Sequence, residues 1–457
     1  MKPHSAILAS LSLSALLSAL GTSIANVALP ALAQAFHAPL PAVQWVVLAY
    51  LLGVSGLVVA AGRLGDLVGR KRLLLAGIAM FSLGAGLGAA APSLPVLVAA
   101  RLLQGAGAAA MMALTMAAVK DTLPAAETGR AMGTLGTVSA AGTALGPSLG
   151  GALVAGFGWP AVFLLQASCG VAAFACAARF LPADLPRQDR PRFDHAGTLL
   201  LALALTTFAL ATTGAAGQRG LWLAFAAGGA ILFVHVERRC AAPLVEPALF
   251  RDPVISAGVL TSMLATAVVM ATLVVGPFYL TGVLGLEAGR MGLVMAAGPV
   301  AAALAGLPAG RAVDRLGARR STLAGLAGMV AGACLLWSLP PSTPAAYVAS
   351  IAVLTAGYAL FQAANNTTVM SAAAAERRGL VSGLLNLSRN LGLVGGAAGM
   401  SAVFMSAAAA DGGQAAAAAG FRSCFGLAAV LLGLGCVLVI VLQWSGKSSY
   451  SPGARGR

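Results

Sequence analysis

Long apolar runs constrain this chain more than any other feature. Fourteen such runs, each of about 20 residues, are almost free of charge, and short polar or basic segments separate them. A helix of this length crosses the hydrocarbon layer of a bilayer, where every backbone polar group must pair within its own segment. The sequence therefore predicts an all-α membrane protein with fourteen transmembrane helices.

The predicted spans are numbered 1 to 14 in chain order. They cover residues 6–29, 43–62, 73–91, 95–118, 131–154, 160–181, 196–214, 220–236, 255–283, 290–310, 321–339, 344–370, 380–405 and 421–444. The first run is longer than the core of a signal peptide, about 7–15 residues, so we interpret it as a retained span. The Ala-rich stretch 407–419 is predicted to be a loop.

Composition excludes several classes of protein. Only 9% of residues are charged, against about 25% in soluble domains. The net charge of +15 does not indicate a nucleic-acid partner, because Lys and Arg recur in short clusters between apolar runs. Neither metal-ligand spacing nor a phosphate loop nor a catalytic constellation occurs, so we expect no metal, no cofactor and no enzymatic activity.

The basic clusters also predict sidedness. Of the 28 Lys and Arg residues, two fall inside spans, three lie on one side and the remaining 23 lie on the other. An excess of Lys and Arg marks cytoplasmic loops. We therefore expect a multi-pass protein of the bacterial inner (cytoplasmic) membrane, with both termini cytoplasmic and most simply a monomer.

An internal repeat divides the chain into two similar halves. The positions Gly62, Asp66 and Gly69 recur 248 residues later as Gly310, Asp314 and Gly317. The repeat predicts two pseudo-symmetric six-helix bundles, 1–181 and 255–444, which enclose a central path for a substrate. Residues 182–254 would then hold two inserted helices and their linkers, and 445–457 a disordered cytoplasmic tail.

The first copy of the repeated motif has the features of a mobile turn. Its glycines permit a tight connection between spans 2 and 3, and Asp66 can pair with Arg70. Such a cluster can break and reform as two halves move. We therefore predict a conformational switch at Gly62, Asp66, Gly69 and Arg70, with a second switch at the repeated positions.

Together these segments resemble the major facilitator superfamily. The turn 62–72 is similar to its loop 2–3 signature, and Arg101-Leu-Leu-Gln104-Gly105 to its RxxQG element. The segment 142–151, which holds Gly142, Gly146, Pro147, Gly150 and Gly151, resembles the GxxxGPxxGG signature of antiporters. Residues 20–30 and 237–250 are similar to the 14-span drug:proton antiporters.

The resemblance implies roles for particular residues. Arg101 and Gln104 would act in coupling, and span 5 would seal the outward path against leak. Asp121 would complete a charge cluster with Asp66 and Arg70, although a solvated loop acid is the alternative. An arginine inside a membrane is costly and functional by default, although a purely structural hydrogen-bonding role is the alternative for Arg101.

One position departs from that family. Gly21 stands where the first-span pattern of the antiporters carries an aspartate, and none of the 13 acidic residues falls in the middle of a predicted span. Direct recognition of a dication by a buried carboxylate is therefore not expected. The remaining candidates for the proton carrier are Glu287 at the outer mouth and the gate residues Asp66 and Asp314.

Polar side chains inside spans 1, 12 and 13 are candidates for the substrate cavity. They are Thr22, Asn26, Gln362, Asn365, Asn386 and Arg389. The asparagines could equally join helices by hydrogen bonds, and Arg389 could either bind a substrate or bond to the opposite half.

These observations predict a secondary active transporter that exports amphipathic, drug-like molecules in exchange for protons. The alternative is uptake or facilitated diffusion of a specific small metabolite, because Gly21 replaces the acid that the antiporters carry in their first span.

Overall fold

The computed structural model describes residues 3–122, 125–184, 194–213, 218–240, 247–338, 343–373, 377–408 and 413–445. This part of the chain is helical almost throughout. The predicted cytoplasmic tail, apart from Ser445, lies outside the described residues.

The observed helices keep the span numbers used above. Spans 1 to 7 are Pro3–Ala35, Leu40–Val43 with Trp45–Val68, Arg70–Ala89, Leu94–Thr122, Ala125–Phe157, Pro160–Phe180 and His195–Thr213. Spans 8 to 14 are Arg219–Glu237, Pro253–Gly282, Ala288–Leu316, Ala318–Ser338, Pro344–Ala372, Arg378–Ala408 and Gly413–Ser445. Span 13 contains a π-helical turn at Gly396–Met400.

Fourteen of the described helices are long and apolar enough to cross a membrane, which confirms the predicted number of spans. The prediction of a loop over 407–419 is wrong for its described C-terminal part, because span 14 already begins at Gly413. The residues that follow are mostly alanine, which has the highest intrinsic helix propensity, and they extend the last helix.

The packing of the helices repeats between the two halves. Span 1 packs on span 5 as span 9 packs on span 13, and spans 2 and 4 pair as spans 10 and 12 do. Spans 3 and 6 pack together in the first half, as spans 11 and 14 do in the second. The fold therefore consists of two pseudo-symmetric six-helix bundles with two further helices inserted between them.

The two bundles meet along two seams and through a contact between spans 1 and 9. Span 5 contacts span 10 along one seam, and span 2 contacts span 13 along the other. We call the end of the molecule that carries the turns at Gly69 and Gly317 the basic end, and the opposite end the far end. Because consecutive spans alternate in direction, spans 5 and 10 are antiparallel.

The inserted helices sit on one side of this assembly. Span 7 contacts span 2 of the first half and span 13 of the second, whereas span 8 packs mainly on span 7. The indole of Trp45 donates a hydrogen bond of 3.1 Å to the Thr213 hydroxyl, which joins the far ends of spans 2 and 7. Span 8 presents Ile231 with 72% of its surface exposed, as expected for a helix facing lipid.

Candidate functional site

The first candidate switch is held together at the basic end. The Arg70 guanidinium donates to Asp66 Oδ1 at 2.9 and 3.1 Å, and a third bond of 3.0 Å reaches the carbonyl oxygen of Ala117 in span 4. Arg70 thus ties the turn to span 4 through a carbonyl at the end of that helix. The side chain of Asp121, the predicted third member of this cluster, lies outside the described residues.

A carboxylate that the sequence did not indicate closes the same turn. Asp184, which follows span 6, accepts hydrogen bonds from the backbone N–H groups of Lys71 (2.8 Å) and Arg72 (3.1 Å). These are unpaired amides in the first turn of span 3, where an anion is favoured. Gly69 has a φ of 111°, and a Cβ there would collide with the Asp184 carboxylate.

Two alanine substitutions, at Gly69 and at Gly317, separate the effect of a collision with Asp184 from the effect of backbone strain. Gly317 has a φ of 81°, but a Cβ on it meets no described atom within 4 Å. Both Gly69→Ala and Gly317→Ala should cost about 1–3 kcal/mol of backbone strain. Only Gly69→Ala should also displace Asp184, so we expect it to lower the melting temperature and transport more than Gly317→Ala. Equal losses in detergent melting curves and vesicle transport would contradict a role for Asp184.

The second candidate switch is not equivalent to the first. The displacement of 248 residues places Ala318 where the first copy has Arg70, so no arginine follows Asp314 by four residues at the start of the next helix. Asp314 is exposed. The two turns share their glycines and their acid, but only the first is locked by an ion pair among the described residues.

A buried network surrounds Arg101 in the first half. Its guanidinium donates to the carbonyl oxygens of Val46 (2.9 Å) and Gly21 (3.0 Å) and to Gln104 Oε1 (2.7 Å). Its Cζ atom lies 4.2 Å from the centre of the Tyr50 ring. Arg101 is only 1% exposed. It therefore links spans 1, 2 and 4 inside the bundle and does not line an open cavity.

The network continues into span 6 and explains the residue at position 21. The Gln104 amide donates to Gln166 Oε1 at 2.8 Å. A Cβ on Gly21 would lie 2.8 Å from the Tyr50 hydroxyl, which itself donates to the Ser18 carbonyl. Tyr50 therefore fills the space that an aspartate at position 21 would need. Among the described residues, carbonyl oxygens, a glutamine and an aromatic ring surround the Arg101 charge.

The glycines of the antiporter-like segment bring span 5 against span 1. A Cβ on Gly142, Gly146 or Gly150 would collide with residues of span 1, Gly142 with the Leu16 carbonyl oxygen at 2.7 Å. The second half repeats this packing, since a Cβ on Gly392 of span 13 would meet the Met263 carbonyl of span 9. Small residues at helical spacing thus permit backbone contact within each half.

Gly151 points to a different neighbour. A Cβ on it would lie 2.7 Å from the Ala288 carbonyl oxygen and 2.8 Å from the Gly292 Cα atom, both in span 10. The two bundles are therefore in backbone contact at the far end. At the basic end of the same seam no such contact is described, since a Cβ on Gly136, Gly306 or Gly310 meets no described atom within 4 Å. The glycines of this seam are thus in tight contact at one end and in open space at the other.

The predicted cavity residues do not form one cluster. Asn26 is fully buried and donates to carbonyls of its own helix, with no hydrogen bond described for its Oδ1 atom. Asn365 is buried and donates to the Gly258 carbonyl of span 9 at 3.0 Å, as a residue that joins helices would. Arg389 donates to Asn386 Oδ1 at 2.6 Å on a partly exposed face of span 13. Thr22 and Gln362 are half-buried.

An apolar groove was not foreseen from the sequence. It has a volume of about 490 Å³ and lies at the basic-end half of span 1, between spans 5 and 6. Its lining includes Leu13, Leu16, Val138, Cys176 and Phe180. A volume between about 300 and 1,000 Å³ suits a drug-sized molecule, and the lining is almost entirely apolar. Because such a groove is assembled from three helices, no local pattern in the sequence marks it.

The inserted helices carry two buried acids for which the sequence indicated no role. Asp194 Oδ1 accepts a hydrogen bond of 2.8 Å from the Gly197 N–H and so caps span 7. The Glu237 carboxylate, at the end of span 8, is also buried. A Cβ on Gly197 would collide with both carboxylates. Gly197 therefore allows the basic ends of spans 7 and 8 to come together.

Paired six-helix bundles that meet along a seam with backbone contact at one end are the architecture of a polytopic helical transporter. Residues 11–397 match the model of the Major Facilitator Superfamily. The chain belongs to that superfamily and is a transporter rather than an enzyme.

Curated relatives carry several functions. The chain is 33% identical to the uncharacterized transporter YebQ of Escherichia coli, over 82% of this chain and 84% of the relative. It is 32% identical to the multidrug resistance protein Stp of Mycobacterium tuberculosis (81% and 70% covered). It is 29% identical to the riboflavin transporter RibZ of Clostridioides difficile (88% and 89% covered).

Solved structures show the same fold at low sequence identity. A bacterial homologue of the human lysosomal transporter Spinster, solved in an inward-facing and unoccupied conformation, aligns with a TM-score of 0.70. The alignment covers 99% of this chain and 100% of that chain at 16% identity.

Proposed function

We propose that this protein exports amphipathic small molecules by alternating access, driven by proton entry. The observation that carries the proposal is the contrast along the seam between spans 5 and 10: backbone contact at Gly151 and Gly292 at the far end, and open space around Gly306 and Gly310 at the basic end. One central path with access from one end at a time is what a carrier requires.

The direction of transport follows from the charge pattern and the groove. We assign the basic end to the cytoplasm, because it gathers most of the Lys and Arg residues. The conformation described here is then open inward. The apolar groove beside Leu13 and Val138 suits the hydrophobic part of an amphipathic substrate. The relative named as a multidrug resistance protein supports the same substrate class.

Proton coupling is assigned to carboxylates outside the middle of the spans. Asp66, paired with Arg70, can lose and regain that partner as the halves move. Asp314 and Glu287 are exposed at opposite ends of span 10 and can exchange protons with water. The buried Arg101 would set the electric field that acts on these carboxylates and would not itself carry a proton.

A transport assay in everted membrane vesicles tests this proposal. Rhodamine 6G, a fluorescent amphipathic monocation, should accumulate in vesicles whose lumen is acidified, and an uncoupler should abolish the accumulation. Vesicles from cells without the protein are the control. Accumulation that ignores the pH gradient would contradict proton coupling, and the absence of any transport would contradict export of this class.

A second function is favoured by one observation. The Arg389 guanidinium, bonded to Asn386 on a partly exposed face, offers donors for a carbonyl-bearing or anionic metabolite. A relative named as a riboflavin transporter has a similar sequence. Uptake of labelled riboflavin into whole cells, lost in Arg389→Gln, would favour this alternative over export.

A further inference from the structure

Span 7, the first of the two inserted helices, is attached to span 2 of the first bundle. At the far end the Trp45 indole of span 2 donates to the Thr213 hydroxyl of span 7 at 3.1 Å. Nearer the middle, a Cβ on Gly56 of span 2 would lie 3.3 Å from the Ala202 side chain of span 7. A glycine facing an alanine lets two membrane helices approach closely. Spans 2 and 7 are therefore joined both by a hydrogen bond and by close packing.

The linker that enters span 7 is bound to the first bundle at the basic end. It leaves span 6 at Leu181, whose carbonyl oxygen accepts a hydrogen bond from the Lys71 ammonium group of span 3. Asp184, three residues further on, accepts from the backbone N–H groups of Lys71 and Arg72. Asp194 then caps span 7. The described parts of this linker thus begin on span 3 and end on span 7.

Span 8 is held in turn by span 7, on which it mainly packs. A Cβ on Gly229 of span 8 would lie 3.3 Å from the Ala204 side chain of span 7. At the basic end Gly197 lets the two helices approach, since a Cβ there would collide with the carboxylates of Asp194 and Glu237. Span 8 should therefore follow any movement of span 7.

The contact between span 7 and the second bundle has a different character. Span 7 meets span 13 at and around its π-helical turn, Gly396–Met400. Four of the five residues of this turn are glycine or alanine, and a Cβ on Gly399 meets no described atom within 4 Å. Such a surface has few side-chain atoms that could interlock with a neighbouring helix. Span 13 can therefore slide along span 7 at little cost.

We infer that spans 7 and 8 form one rigid body with the first bundle, and that span 13 slides along span 7 during the transport cycle. The inference rests on the proposed alternating access and gives the inserted helices a role in it. Because span 7 contacts both span 2 and span 13, it covers the seam between them while the second bundle moves. Packed helices move as units in such shear motions.

Two disulfides of similar geometry distinguish this rigid body from a moving seam. In Gly56→Cys/Ala202→Cys, the Cβ atoms would lie 3.3 Å apart and join span 2 to span 7. In the matched control Ala155→Cys/Gly289→Cys, they would lie 3.6 Å apart and join span 5 to span 10. Both spacings are near the roughly 3.5–4.5 Å of natural disulfides. The pairs are made in a chain without the six native cysteines, and a protease site within 185–193 reports disulfide formation on a gel.

Oxidation of Gly56→Cys/Ala202→Cys should leave rhodamine 6G transport in everted vesicles unchanged from the reduced form. Oxidation of Ala155→Cys/Gly289→Cys should stop transport, because the far end could no longer open, and a reductant should restore it. Loss of transport on oxidation of the first pair would overturn the inference, since span 7 would then have to part from span 2. Full transport by the oxidised control would instead overturn alternating access at this seam, whatever the first pair shows.

Spin labels on lipid-facing residues give a second measurement that does not depend on helix packing. Leu83 of span 3, Ile231 of span 8 and Leu304 of span 10 are 59%, 72% and 74% exposed, so cysteines at these positions should leave the fold intact. In nanodiscs, a change of pH with added rhodamine 6G should shift the distance between positions 231 and 304 but not that between 83 and 231. If the 231–304 distance stayed constant while the 83–304 distance shifted, the inserted helices would move with the second bundle and the inference would be wrong.

Discussion

Replacement of Arg101 by leucine should abolish transport and strongly destabilise the protein. The change removes three hydrogen bonds to acceptors that water cannot reach, on Val46, Gly21 and Gln104. Each buried acceptor left without a donor costs about 1–3 kcal/mol. The loss also releases Gln104, which orients Gln166 of span 6. We expect a large fall in the melting temperature in detergent and vesicle transport at background level.

Arg101→Lys is the matched control because it retains the positive charge. The ammonium group of lysine cannot reach all three acceptors at once, as the planar guanidinium of arginine does. We expect partial recovery of the melting temperature and little recovery of transport. If Arg101→Lys transported as well as the wild-type protein, the charge alone would matter and the bridging geometry would not. If Arg101→Leu kept its stability, the network would not hold spans 1, 2 and 4 together.

The sequence predicted the membrane architecture because the signals for it are local. The length of an apolar run fixes a span, and a displacement of 248 residues exposes the repeat without reference to any contact. The glycines at positions 142, 146 and 150 have a spacing that predicts close helix packing, and the structure places span 1 against them. Local pattern and local geometry agree at these positions.

The partners of the functional residues could not be predicted in this way. Asp184 is one acid in a short loop, and only the fold brings it to the first turn of span 3. Tyr50 and Gln166 are single polar residues in apolar runs, and nothing near them in the sequence indicates Arg101 or Gln104. Gly292 is one of 57 glycines, and its role depends on a helix in the other half.

One asymmetry was visible in the sequence and has a structural consequence. The repeat conserves the acid of the switch as Asp66 and Asp314 but replaces Arg70 by Ala318. The first turn is consequently tied to its own bundle, whereas Asp314 is exposed at the basic end of span 10. Asp314 is thus the better placed of the two acids to gain a partner when the basic end closes.

A large residue at Gly151 should keep the protein from closing its far end. In Gly151→Leu, the new side chain would collide with the Ala288 carbonyl oxygen and the Gly292 Cα atom, at 2.7 and 2.8 Å from the Cβ position. Backbone atoms of a packed helix cannot move aside as a side chain can, so we expect a penalty of about 3 kcal/mol on this conformation. That penalty reduces its population on the order of 100-fold.

The measurement is the reactivity of a cysteine at position 306, near the basic end of span 10, together with transport. The variant Gly306→Cys is made in a chain from which the six native cysteines have been removed. With Gly151→Leu added, this cysteine should become poorly reactive toward a charged, water-soluble maleimide, because the bundles would rest with the basic end closed, and vesicle transport should fall to background. Gly156→Leu is the matched control on the same span, since its Cβ would meet no described atom within 4 Å. It should leave both readouts unchanged. Normal transport by Gly151→Leu would show that the far end need not close through this contact.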